Sequence, residues 1–138
     1  MIYVKNLRQA SVDKNVWAIV RSLKNPGRMT QVADLSPSKR LFWDYLSWKK
    51  AGNWNAEKFM NSYAPRFMSE LKANLKAIQL LKDLTRRDPG DDVTLVCFCD
   101  DEALCHRSII AGILQGAGAS ISAGSDYSRY YEQFDIAL

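Results

Sequence analysis

Histidine and cysteine are scarce in this chain, with one and three copies in 138 residues. Three is an odd number, and so few thiols cannot build the disulfide framework that staples small secreted domains. No apolar run approaches the roughly 20 residues of a membrane span. The opening "MIYVKNLRQASV" also lacks the apolar core of a signal peptide. The expectation is a soluble, cytoplasmic protein without a membrane partner. Internal repeats and low-complexity stretches are absent, as are C-x2-C knuckles and a C-x5-R phosphate loop. A glycine-rich "GAGAS" stands behind a helical stretch instead of opening one, so it reads as a stop signal.

What remains is globular in amount. The chain is 47% hydrophobic, 11% aromatic and 25% charged, and its length fits a single domain, 1–138, with one core. The net charge of +4 is uneven. Residues 1–70 carry 12 Lys/Arg against 5 Asp/Glu, whereas residues 71–138 carry 7 against 10. A basic half attracts phosphate-bearing partners over distance, or simply solubilises the surface.

Apolar periodicity lays out the elements. "MIYVKN" and "NVWAIVRS" read as strands, the second with the near-continuous apolar run of a strand buried on both faces. "LKNPGRMTQ" is a loop punctuated by Pro26 and Gly27. "LSPSKRLFWDYLSWKKAGN" is a helix with Ser36 or Ser38 as its cap, Pro37 in its first turn and Gly52 at its end. "AEKFMNSYAPRFMSELK" is a second helix, in which Pro65 predicts a kink or a break near Ala64. "NLKAIQLLKDLTRRD" is a third, with Leu75, Ile78, Leu81 and Leu84 on one face. "VTLVCFC" is the clearest strand, and a helix carrying Cys105 and His106 follows, with Gly116 as its stop. "ASISAG" adds a short strand, and residues 126–138 form an aromatic tail. Strands alternating with helices predict an α/β fold: a small, mainly parallel sheet flanked by helices, in a Rossmann-like three-layer build. In such sheets ligands bind beyond the C-terminal strand ends. Here that is the loop after Cys99 and the start of the next helix.

All three thiols and the one imidazole fall in "CFCDDEALCHR". Cys97, Cys99, Cys105 and His106 are zinc-ligand types, but C-x-C-x5-C-H is a poor spacing for one tetrahedral ion. Zinc is thus the alternative to a site without a cofactor. Cys105 in a first helical turn, beside Arg107, suits a low-pKa nucleophile, with His106 as acid or base. The plainer reading packs the thiols as small hydrophobes, Cys97 above all. The helix start also offers free amides to an anion, with Arg107, His106 and Ser108 as donors, against the competing acids Asp100, Asp101 and Glu102. Finally, "KRLFWDYLSWKKAGNWN" interleaves bases with Phe42, Trp43, Tyr45, Trp48 and Trp54. Such a pattern either holds bases by stacking or turns its rings into the core.

A strand "VTLVCFC", an acidic loop and then "CHRS" on a helix resemble the signature of domain-of-unknown-function family 488, DUF488. "VWAIVRSLKNPG", "LSPSKRLFWDYL" and "EKFMNSYAPRFMSEL" resemble its other segments, so the likeness runs over residues 2–115. The C-x-C…C-H part is also similar to a second uncharacterised family, number 4326. The resemblance implies a cytoplasmic, compact α/β domain and supplies no activity. It points to Cys105, His106 and Arg107, to Cys97 and Cys99, and to Arg21, Ser36, Pro37 and Ser38. The first loop departs from the family, with "NLRQAS" where a G-H-S-like turn stands.

Together these readings lead to a nucleotide-like or phosphate-bearing ligand, with nucleic acid as a further candidate partner. Arg107, Arg21, Ser108, Cys99, Ser38 and Trp17 are the candidate ligand contacts, and His106 and Cys105 the candidate catalytic groups. A protein-interaction domain working through "DYSRYYEQF" and a thiol enzyme built on Cys105 are the alternatives.

Overall fold

The computed structural model describes residues 1–10 and 15–138. Its strands are β1 Ile2–Asn6, β2 Val16–Ala18, β3 Thr30–Gln31, β4 Val93–Cys97 and β5 Ile121–Ser122. Its helices are α1 Lys39–Lys50, α2 Ala56–Lys58, α3 Ala64–Lys72, α4 Leu75–Thr85, α5 His106–Gly116 and α6 Arg129–Phe134. The strands form one sheet in the order β3-β2-β4-β1-β5, and every pair is parallel. The α/β three-layer expectation is met, with a sheet that is wholly parallel among the described residues. β4 lies at its centre, with Leu95 opposite Val4 on one side and Trp17 on the other. All five β4 residues are buried, which explains their unbroken apolar run.

The order of the strands locates the site. β2 runs on to β3 at one edge, whereas β4 runs on to β5 at the other. Connections leaving these two neighbours diverge, and a crevice opens beyond their C-terminal ends.

Several local expectations are corrected. β3 lies in the stretch read as a loop, because parallel pairing with Trp17 and Ala18 recruits Thr30 and Gln31. Leu75 is exposed; the buried face of α4 is Ala77, Leu81 and Leu84. Pro37 precedes the cap Ser38 and stays outside α1. Gly118, at φ 90, follows α5 as its left-handed residue. Gly116 instead leaves room for Tyr131, since a Cβ there would lie 2.2 Å from that side chain's own Cβ. The loop "NLRQAS" begins with a 3-10 turn, Leu7–Gln9, and its last residue, Ser11, lies outside the described residues.

The proline in the second helical stretch, expected to kink or break it near Ala64, is accommodated by a π-helical turn instead. Pro65 cannot donate a backbone bond, and the chain widens into a π-helical turn, Phe59–Tyr63, immediately before α3. Ala64 N–H closes that turn on Phe59 O. The wide turn places Phe59 and Tyr63 inward, and Tyr63 reaches the crevice.

The aromatic tail is α6, packed along α5. Tyr127, Tyr130 and Phe134 are buried. Gly112 permits the close approach, because a Cβ there would lie 2.0 Å from Tyr127 O.

Candidate functional site

A pocket of about 390 Å³ occupies the crevice beyond β2 and β4. Its volume is that of a small-ligand site. From the chain just after β2 come Val20, Arg21 and Ser22; from the end of β4 and the turn after it come Cys97, Phe98 and Cys99. Leu104, Cys105 and His106 close the α5 side. The opposite wall is α1 and its entry, with Pro37, Lys39, Phe42, Trp43 and Tyr45. Phe42, Trp43 and Phe98 remain 45%, 62% and 51% exposed, so exposed rings stand at the mouth.

Ser38 fixes the α1 wall. Its hydroxyl accepts from Leu41 N–H at 3.1 Å and donates to Glu70, whose other carboxylate oxygen accepts from Ser38 N–H at 2.8 Å. Glu70 lies on α3, so the cap also ties α1 to α3. Arg21 Nε donates to Pro37 O at 2.8 Å, which bridges the β2 loop to the α1 entry.

The floor is sulfur. Cys97, Cys99 and Cys105 Sγ lie within 4.8 Å of one another. The Cys97 and Cys105 sulfurs are 2.8 Å apart, and all three residues are free thiols. Cys105 is the residue before α5 and has an extended backbone, φ −124° and ψ 148°, where a helical turn was expected. That backbone lets its sulfur face Cys97 on one side and His106 Nδ1, at 3.7 Å, on the other. His106 Nε2 donates to Ile19 O at 2.6 Å, so this nitrogen carries the hydrogen. The imidazole is further held edge-on by Phe67 at 5.5 Å.

Arg107 and Asn6 shape the turn after β4. Arg107 is buried; its Nη1 donates to Cys99 O at 2.6 Å and to Cys97 Sγ at 3.4 Å. Asn6 Nδ2 donates to the same Cys99 carbonyl at 2.8 Å. Two donors on one carbonyl turn the chain out of the sheet at Phe98. Arg107 Nε is buried without a partner. No carboxylate among the described residues forms an ion pair with this guanidinium.

Mutual contact drives the acidities of the three thiols apart. S–H donation from Cys105, then from Cys99, holds the Cys97 thiol far below its ordinary range, helped by His106 and Arg107 and opposed by burial. Burial, then the donation to Cys97, pushes Cys105 up. Cys99 is raised to about 11. Cys105 lowers it most, and its donation to Cys97, its burial and the Cys97 charge outweigh that.

The candidate residues from the sequence thus divide. Cys99, Cys105, His106 and Arg21 line the pocket with Cys97. Arg107 and Ser108 lie behind the floor, where the Ser108 hydroxyl donates to Cys105 O at 2.8 Å. Ser38 caps α1. Trp17 packs beneath the Arg87 guanidinium at 5.6 Å, away from these walls. Of the four zinc-ligand types, the three cysteines form a donor set of the kind soft cations take, and His106 does not join it within the same span. Asn6, Glu70, Tyr63 and Phe98 were not legible as site residues. Asn6 and Glu70 act through contacts more than 30 positions away, and Phe98 reads as strand core until the turn exposes it.

The family model described as "Active DUF488-N3 subclade" matches residues 2–118, and the chain belongs to the DUF488 family. The resemblance read from "CHRS" and its preceding strand is borne out by that match. No curated protein and no solved structure matches the chain.

Proposed function

We propose that this DUF488 chain binds a nucleotide-like ligand in the crevice between β2 and β4. The planar ring lies among the mouth aromatics, and the phosphate lies against Arg21 and Lys39. The observation that carries the reading is the composition of the pocket wall. Phe42, Trp43 and Phe98 present exposed rings beside two basic side chains that make no ion pair among the described residues. Rings interleaved with bases hold a stacked base and its phosphate. A cytoplasmic setting suits three free thiols. Among the described residues no helix is long and apolar enough to cross a membrane.

The interaction-domain alternative is disfavoured by the tail, whose Tyr130 and Phe134 are spent on the core. Calorimetric titration with a panel of bases, nucleosides, mononucleotides and inorganic phosphate tests the reading. A mononucleotide binds more tightly than its nucleoside, and Trp43→Ala weakens it roughly tenfold or more, the worth of one stacked base. No binding by any panel member at millimolar concentration overturns it.

A further inference from the structure

We infer that Cys97, Cys99 and Cys105 together bind a thiophilic divalent cation, zinc, on the pocket floor, with the fourth position of the ion open to the pocket. Zinc takes thiolate sulfur at about 2.3 Å, so two sulfurs of its tetrahedron stand about 3.8 Å apart. Here the three sulfurs lie within 4.8 Å of one another, and the Cys97–Cys105 pair is 2.8 Å apart. These separations bracket the tetrahedral edge, and shifts of about an ångström seat one ion among all three. The backbone makes this possible. With Cys105 inside a helix, C-x-C-x5-C would scatter its sulfurs. The extended backbone at Cys105 turns its sulfur back onto Cys97 instead. Asn6 and Arg107 both hold the Cys99 carbonyl, and so fix the turn that carries the third sulfur.

Charge points the same way. A guanidinium stays protonated at any ordinary pH. Burying it without a counter-charge is expensive. Arg107 is 3% exposed, and its Nε is buried without a partner. No carboxylate among the described residues pairs with it. Its Nη1 donates to Cys97 Sγ at 3.4 Å. A divalent ion held by three thiolates carries one net negative charge, which this guanidinium neutralises. A donor placed behind a ligand atom is also how metal sites orient their ligands. The thiols release their protons as the ion binds, so none has to be ionised beforehand.

The open position follows from the surroundings. All three cysteines line the pocket. His106 Nδ1 lies 3.7 Å from Cys105 Sγ but outside the span of the three sulfurs, and the bond to Ile19 O holds the ring there. The protein thus supplies three ligands, and an exchangeable water completes the shell. That is the arrangement of a catalytic zinc, whereas a structural zinc has four protein ligands.

The metal site stands without the nucleotide reading. The test uses the full-length protein purified without chelators and without a metal-affinity column, with metal content measured by plasma mass spectrometry. About one zinc per chain is expected, removable by chelation and restored by zinc alone. Zinc shields all three thiols of the wild type from iodoacetamide, and chelation exposes them. Cobalt(II) in its place gives the sulfur-to-metal charge-transfer band and the d–d bands of a tetrahedral thiolate site. Azide shifts those d–d bands by entering the open position. Cys99→Ser, changed at the least buried of the three positions and checked for folding by circular dichroism, loses more zinc affinity than the roughly 10–100-fold that an outer-shell partner is worth. Wild-type protein that takes up no zinc, thiols alkylated equally with and without it, or unchanged affinity in folded Cys99→Ser overturns the site. Cobalt bands that ignore azide overturn the open position. Zinc uptake without nucleotide binding sinks the nucleotide reading alone. Nucleotide binding by a chain that takes up no zinc sinks the metal site alone.

Discussion

In α6 and the turn before it, Tyr127, Tyr130 and Phe134 are buried, whereas in α1 Phe42 and Trp43 stand 45% and 62% exposed. Both stretches are aromatic-rich and interspersed with charge in the sequence. The difference comes from what lies opposite. α6 meets α5 at Gly112 and Gly116, two positions without a Cβ, so rings and backbone close tightly on the core. α1 buries Leu41 and leaves its neighbouring rings over the crevice beyond β2 and β4. An aromatic helix is a structural element where small residues receive it and a pocket wall where a cavity does.

A matched pair of truncations is the strongest way to break this comparison. Phe134→Ala removes a fully buried ring and is expected to cost about 3–5 kcal/mol. Trp43→Ala removes a mostly exposed ring and is expected to stay within about 0.5 kcal/mol of the wild type. Denaturant unfolding measures both. Equal losses would mean that the α1 rings are core after all, and would undercut the pocket wall.

A smaller effect, with a more telling sign, comes from Gly116→Ala. Inside a helix, alanine normally stabilises over glycine by about 1 kcal/mol. Here the added Cβ would sit 2.2 Å from Tyr131 Cβ. The collision reverses the sign, with a loss of roughly 1–3 kcal/mol as α6 is pushed off α5. A stabilised variant in the same unfolding assay would show that the tail lies loosely on the body.

How much of this was readable beforehand follows the range of the interactions. β4 was legible because its burial on both faces leaves an apolar run, and a disturbance near Ala64 was legible because Pro65 cannot donate to the helical ladder, although its form, a π turn and not a kink or break, was not. The α1 cap was legible because Ser38 is a local signal. The orientation of Leu75 was not, since one helical turn at a terminus can satisfy the apolar period and still face water. The division of labour among the sulfurs was not either. It depends on Cys105 having an extended backbone instead of a helical one, and on Arg107 turning back to the Cys99 carbonyl. The segment "CFCDDEALCHR" contains the pocket residues, but the turn that sets which of them face the pocket is held by two hydrogen bonds to one carbonyl, from Arg107 and from Asn6 at the far end of β1.

The subtlest expected effect concerns how the tail is tied to the acidic loop before α5. Tyr127 O–H donates to Glu102 Oε2 at 2.7 Å, and the same oxygen accepts from Gly124 N–H at 3.0 Å. Burial, reinforced by the Glu102 carboxylate, pushes the Tyr127 phenol up to about 12. An unfolded tyrosine titrates near pH 10. The folded state thus holds its proton more tightly than the unfolded chain does. The tie contributes its full stability below about pH 10 and loses it as the pH climbs to about 12. Tyr45 and Tyr63 are raised as well, so the wild type loses stability in this window from more than one ring. The informative quantity is therefore the difference from Tyr127→Phe. At neutral pH that variant is less stable by about 1 kcal/mol, the worth of one hydrogen bond. Between pH 10 and 12 the gap closes, because only the wild type has this phenol to ionise. A gap that stays constant through that window would mean that Tyr127 is held by packing against Gly112 alone, and that Glu102 serves only the Gly124 amide.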